Sequence, residues 1–68
     1  MKVTTKQTPA TKVWVLEPEE ERVVMQIKAD QKTGFVRFNV GGTRIGLVPT
    51  SAAVLGRVIL EGCRVLED

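Results

Sequence analysis

Residues 34–48 read GFVRFNVGGTRIGLV, and this stretch decides the fold. It parses as two strands joined by Gly41-Gly42. A two-residue Gly-Gly loop suits a type I′ or II′ turn, whose twist matches that of the flanking strands. The loop sets a register in which Val40 faces Thr43, Phe38 faces Ile45 and Val36 faces Leu47. The other face then carries Asn39 opposite Arg44, Arg37 opposite Gly46 and Phe35 opposite Val48. One face is apolar and the other basic. A slip of one residue would turn Arg37 and Arg44 into the core, so the pattern pins the pairing.

Working upstream, Arg22 to Ala29 (RVVMQIKA) alternates Val23, Met25 and Ile27 with Arg22, Val24, Gln26 and Lys28, as a half-buried strand does. Residues 30–33 form a turn before Gly34. Pairing Ala29 with Gly34 sets Ile27 against Val36, Met25 against Phe38 and Val23 against Val40. The same register places Lys28 by Phe35 and Gln26 by Arg37. Lys12 to Leu16 (KVWVL) is a further strand, ended by Glu17-Pro18, because proline cannot continue a paired strand. Two loop lengths are open between these strands. A five-residue loop over Glu17 to Glu21 sends Trp14 to the open face. A loop one residue shorter buries Trp14 over Met25, the usual place for a tryptophan in so small a domain. Residues 1–11, rich in Thr and Lys with Pro9, read as a flexible or weakly extended arm.

Downstream, Pro49 stops the ladder and Thr50 or Ser51 can cap a helix. Val54, Leu55, Val58, Ile59, Cys63 and Leu66 then recur at helical spacing, with Gly62 and Val65 on the same side. Leu60 lies outside this stripe, among Arg57, Glu61 and Arg64. A broad stripe with a stray leucine suits a helix that packs on two partners, its own sheet and something else. Gly62 inside the stripe marks a close backbone approach or a frayed helix end, since glycine costs a helix about 1 kcal/mol relative to alanine. The expected fold is α+β. A curved four-stranded antiparallel sheet is followed by one C-terminal helix (β-β-β-β-α), forming a single domain over 12–68 with one sheet face under the helix and one open. At 68 residues a lone core is marginal, and dimerisation through the helix is a common remedy.

Composition removes several function classes. There is no histidine and one cysteine, Cys63, so neither an intrachain disulfide nor a zinc cluster is expected. The single serine, Ser51, sits where a helix cap is wanted, and Cys63 falls on the apolar stripe, where a thiol is usually inert. Glu17, Glu19, Glu20 and Glu21 form a solvated acidic turn without the ligand spacing of a calcium loop. Gly41-Gly42 has no helix or Gly-Lys-Ser/Thr after it and is not a phosphate loop. An enzyme is not expected, nor a cofactor or metal. The opening MKVTTKQTPATK has no apolar h-region, and no run reaches the roughly 20 apolar residues of a membrane span, so the expectation is a cytoplasmic protein.

Net charge is +2, and its placement matters more than its size. Residues 22–48 carry Arg22, Lys28, Lys32, Arg37 and Arg44 against Asp30 alone. The open face should therefore show Arg22, Lys28, Arg37 and Arg44, with Gln26, Asn39 and Phe35 among them. Cationic side chains bind phosphates and release counterions, an exposed ring stacks on unpaired bases, and amides meet base edges. Gly46 opposite Arg37 leaves a gap where a ring can lie. Solvated strands also carry Lys and Arg simply for solubility, and that reading stands beside the first.

The strand Gly34-Phe35-Val36-Arg37-Phe38, the strand Arg44-Ile45-Gly46-Leu47-Val48-Pro49 and the helix start Ser51-Ala52-Ala53 resemble the Pur repeat. The β-β-β-β-α order with a basic sheet is similar to that family and to the positive-cofactor-type coactivators. The likeness covers about half the chain and rests on short motifs. It implies a homodimer, joined through helix and edge strands, that holds single-stranded DNA or RNA on the sheet, with roles for Phe35, Arg37 and Arg44. The chain departs from the pattern in its few aromatics: Trp14, Phe35 and Phe38, with no tyrosine. The alternative is an assembly module whose exposed sheet docks an acidic protein partner.

Overall fold

A computed structural model describes residues 1–20 and 23–67 of the chain. Five strands and one helix follow in order: β1 (Lys2–Gln7), β2 (Thr11–Glu17), β3 (Met25–Asp30), β4 (Phe35–Val40), β5 (Thr43–Leu47) and α1 (Pro49–Glu67). The strands form one antiparallel meander in sequence order. The α+β class and the C-terminal helix match expectation; the count of strands does not. Residues 2–7, expected in an arm, pair with β2 from Lys2↔Glu17 to Gln7↔Lys12.

The central hairpin forms as read, from Val36↔Leu47 through Phe38↔Ile45 to Val40↔Thr43. Gly41 and Gly42 have φ of 56° and 87°, the two positive values of a type I′ turn. The pairing stops at Leu47, so the expected Phe35–Val48 pair is not made.

The β3–β4 register differs from expectation by two residues. Met25 faces Val40, Ile27 faces Phe38, Lys28 faces Arg37 and Ala29 faces Val36. The reason is Gly34. Its φ is +73°, so it closes the turn and cannot open the strand. Its N–H donates to the Asp30 carbonyl at 2.9 Å, while the Asp30 side chain accepts from the Lys32 N–H at 2.9 Å, an Asx turn. An even shift leaves every side chain on its assigned face. Strand β3 also starts late, leaving Val23 and Val24 exposed outside it.

The β2–β3 register places Trp14 opposite Ile27 and Leu16 opposite Met25. Trp14 thus joins the apolar face, half-buried, with the Lys12 ammonium 5.0 Å from its ring centroid. The face is that of the shorter-loop reading, but the register differs by two residues: Trp14 stands opposite Ile27, where that reading set it over Met25.

The helix corrects two expectations. Its first hydrogen bond runs from the Ala52 N–H to the Val48 carbonyl at 3.0 Å, so Val48 is the cap and Pro49 the first helical residue, not Thr50 or Ser51. Proline suits that position because its φ is preset and its missing N–H is not needed. More important, the helix does not cover the sheet. One residue, Val48, separates β5 from α1. It touches only β4 and β5, and all its side chains are exposed except half-buried Ala52. No described residue is fully buried. Ile45, expected in the core, is 50% exposed, and Val36, Phe38 and Leu47 are half-buried. Cys63 is exposed, and a Cβ on Gly62 would meet no atom within 4 Å, so no backbone of this chain approaches it.

Candidate functional site

The register sorts side chains by face. Trp14, Ile27, Phe38 and Ile45 stand in one row on the apolar face. The opposite face carries two polar rows over β3, β4 and β5. One row runs Gln26–Asn39–Arg44 and the next Lys28–Arg37–Gly46. Together with Phe38, these six residues line one open depression of about 340 Å³.

The sequence therefore placed Gln26, Lys28, Arg37, Asn39 and Arg44 together, and the structure brings all five into one depression. Phe35 stays on that face but outside the depression, opposite Asp30 and 42% exposed, instead of opposite Val48 or beside Lys28. Arg22 lies outside the described residues. Asp30 shares the face, which was expected to hold no acid, but sits at its end with its carboxylate engaged in the turn.

The corrected register changes the electrostatics. Lys28 faces Arg37 directly, where Gln26 had been expected. Like charges opposed across strands destabilise a sheet. No acid lines the depression, and among the described residues the ion pair formed is elsewhere, between the N-terminal ammonium and Glu19 at 3.6 Å. Lys28 is half-buried.

Strand β1, read from the sequence as a lysine-bearing arm, adds one cation to this face, since Lys2 stands opposite Glu17. Lys6 stands opposite Val13, which stands opposite Lys28, so the row runs Lys6–Val13–Lys28–Arg37–Gly46. The available signal was the period-two spacing of Lys2, Thr4 and Lys6. The helix is different in kind: Arg57 and Arg64 are balanced by Glu61 and Glu67. No three metal-ligating side chains cluster among the described residues, and no described helix is long and apolar enough to cross a membrane. Comparison with protein-family models, curated proteins and solved structures gives no match for this chain.

Proposed function

We propose that this protein binds single-stranded DNA or RNA, without catalysis, on the basic face of its sheet, and does so as a homodimer. The observation that carries the reading is the opposed pair Lys28 and Arg37, flanked by Arg44 in a depression with no acid. The fold gains nothing from that repulsion, whereas a phosphate between the two cations relieves it. Polyanion binding also releases counterions, which favours association at low salt. The amides of Gln26 and Asn39 stand opposite each other in the same depression and supply donors and acceptors for base edges. A shallow, open sheet face suits splayed single strands, while the charge-balanced helix offers no basic surface for a duplex groove. The poverty of rings favours phosphate contacts over extensive stacking, hence weak sequence preference.

Fluorescence anisotropy with an oligopyrimidine DNA tests this. The three cations of one depression should give a slope of log affinity against log salt of about −2. Replacing Arg37 and Arg44 together with Glu should abolish binding and leave the fold intact, since both are exposed. Arg57→Glu, on the helix, should change little. A folded double variant that binds like the parent makes the face an ordinary solvated surface and favours the acidic-protein alternative.

A further inference from the structure

Gly46 has no structural reason to be glycine. Its φ is outside the left-handed region, where Gly34, Gly41 and Gly42 lie. A Cβ built on it would meet no atom within 4 Å, so packing does not exclude a side chain. Nor does a bulge demand it: the pairing runs unbroken from Val36↔Leu47 through Arg37↔Gly46 to Phe38↔Ile45. Glycine inside a strand weakens it, and one common reason to find one there is the close approach of a ligand to the backbone.

The surroundings say what approaches. Arg37 is directly opposite, Arg44 lies two residues along the same strand on the same face, and Lys28 stands beyond Arg37. All three line the depression with Gly46. Bare backbone at Gly46 thus adjoins one arginine across the strand pair and another along its own strand. Guanidinium planes stack on unpaired bases, and the adjacent cations meet the phosphates on either side of the seated one.

We propose that Gly46 is the floor of a seat for one unpaired nucleobase of the bound strand, walled by Arg37 and Arg44. This rests on the function proposed above and names the contact that distinguishes a nucleic acid from any other polyanion. The occupant is a strand, not a free nucleotide, because Lys28 stands beyond Arg37 and Lys6 lies in the same row past the uncharged Val13, further from the seat than one phosphate reaches.

The test compares two probes at one salt concentration: an oligothymidylate and an equally long strand of abasic sites, with the same phosphates and no bases. The parent should prefer the base-bearing strand by at least about fivefold, the low end of what one stacked base contributes. Gly46→Val fills the seat with a side chain that suits a strand. It should bind both probes equally, at the parent's affinity for the abasic strand, with no loss of melting temperature. Gly46→Ala should lose part of the preference. Equal binding of the two probes by the parent overturns the seat and leaves strand binding standing, as does an undiminished preference in Gly46→Val. Binding of neither probe overturns the function itself. Thymidine monophosphate that displaces the strand at an equal nucleotide concentration makes the site a nucleotide pocket and overturns the assignment to a strand.

Discussion

Lys28 and Arg37 are where stability and the proposed strand binding pull apart. Directly opposed side chains in an antiparallel pair sit about 4.5–5.5 Å apart at Cβ, and opposite charges there contribute roughly 0.2–1 kcal/mol while like charges oppose folding. Lys28→Glu sets an opposite charge, in place of a like one, across from Arg37. The expected outcome is a gain of stability, on the order of 1 kcal/mol by the same cross-strand scale, read from a denaturant midpoint. Strand affinity should fall in the same variant, because one phosphate partner is lost and a like-charged carboxylate is put in its place. Lys28→Gln should lie between on both measures. A solvated face kept only for solubility gives the first effect without the second, so the anisotropy arm decides between the two meanings of the charge.

At the scale of elements, the turns set what could be read from the chain. The β4–β5 hairpin was legible because Gly41-Gly42 and an alternating pattern on both sides agree on one register. The β3–β4 turn was not, because nothing in the sequence separates a glycine that closes a loop from one that opens a strand. The resulting shift was even, so the face of each residue survived although its partner changed. That is why most of the site could be listed from sequence while the Lys28–Arg37 pair could not. Strand β1 escaped notice for another reason. Lys2–Gln7 holds a single apolar residue, Val3, so it has no hydrophobic alternation; its order comes from pairing with β2. Polar, lysine-bearing edges of this kind discourage strand addition from other chains. The turn argument makes a paired prediction. Gly34→Ala places a Cβ at φ +73° and should cost about 1–3 kcal/mol, the usual strain of a left-handed non-glycine residue. Gly46→Ala, in extended backbone with open space around it, should cost nothing. Thermal melts of the two variants side by side check the contrast, and equal losses would contradict the turn assignment.

The whole molecule is unfinished as a single chain. Folded monomers of 7.5 kDa expose about 4,200 Å² by the mass scaling of compact proteins, whereas this chain exposes 5691 Å². The excess, roughly 1,400 Å² per chain, doubles to about 2,900 Å² in a pair, within the range of obligate homodimer interfaces. Its chemistry fits that use. Val54, Val58, Ile59 and Leu60 on the helix, and Val3, Val40 and Ile45 on the apolar sheet face, are each 45% exposed or more. An apolar helix stripe and an uncovered apolar sheet face on one chain are what a homodimer of the proposed kind would bury against a second copy. The basic depression lies on the other side of the sheet, so such a pairing leaves it free. Sedimentation at micromolar concentration should therefore give twice 7.5 kDa. Because folding and association are then one equilibrium, the melting temperature should rise with protein concentration. Ile59→Glu, which sets a charge in the buried stripe of the pair, should abolish the dimer and the cooperative melt together, whereas Arg57→Glu on the charged side should leave both. A cooperative melt from a 7.5 kDa species, at a temperature independent of concentration, would show that the exposed stripe needs no second copy, and the dimer would be wrong.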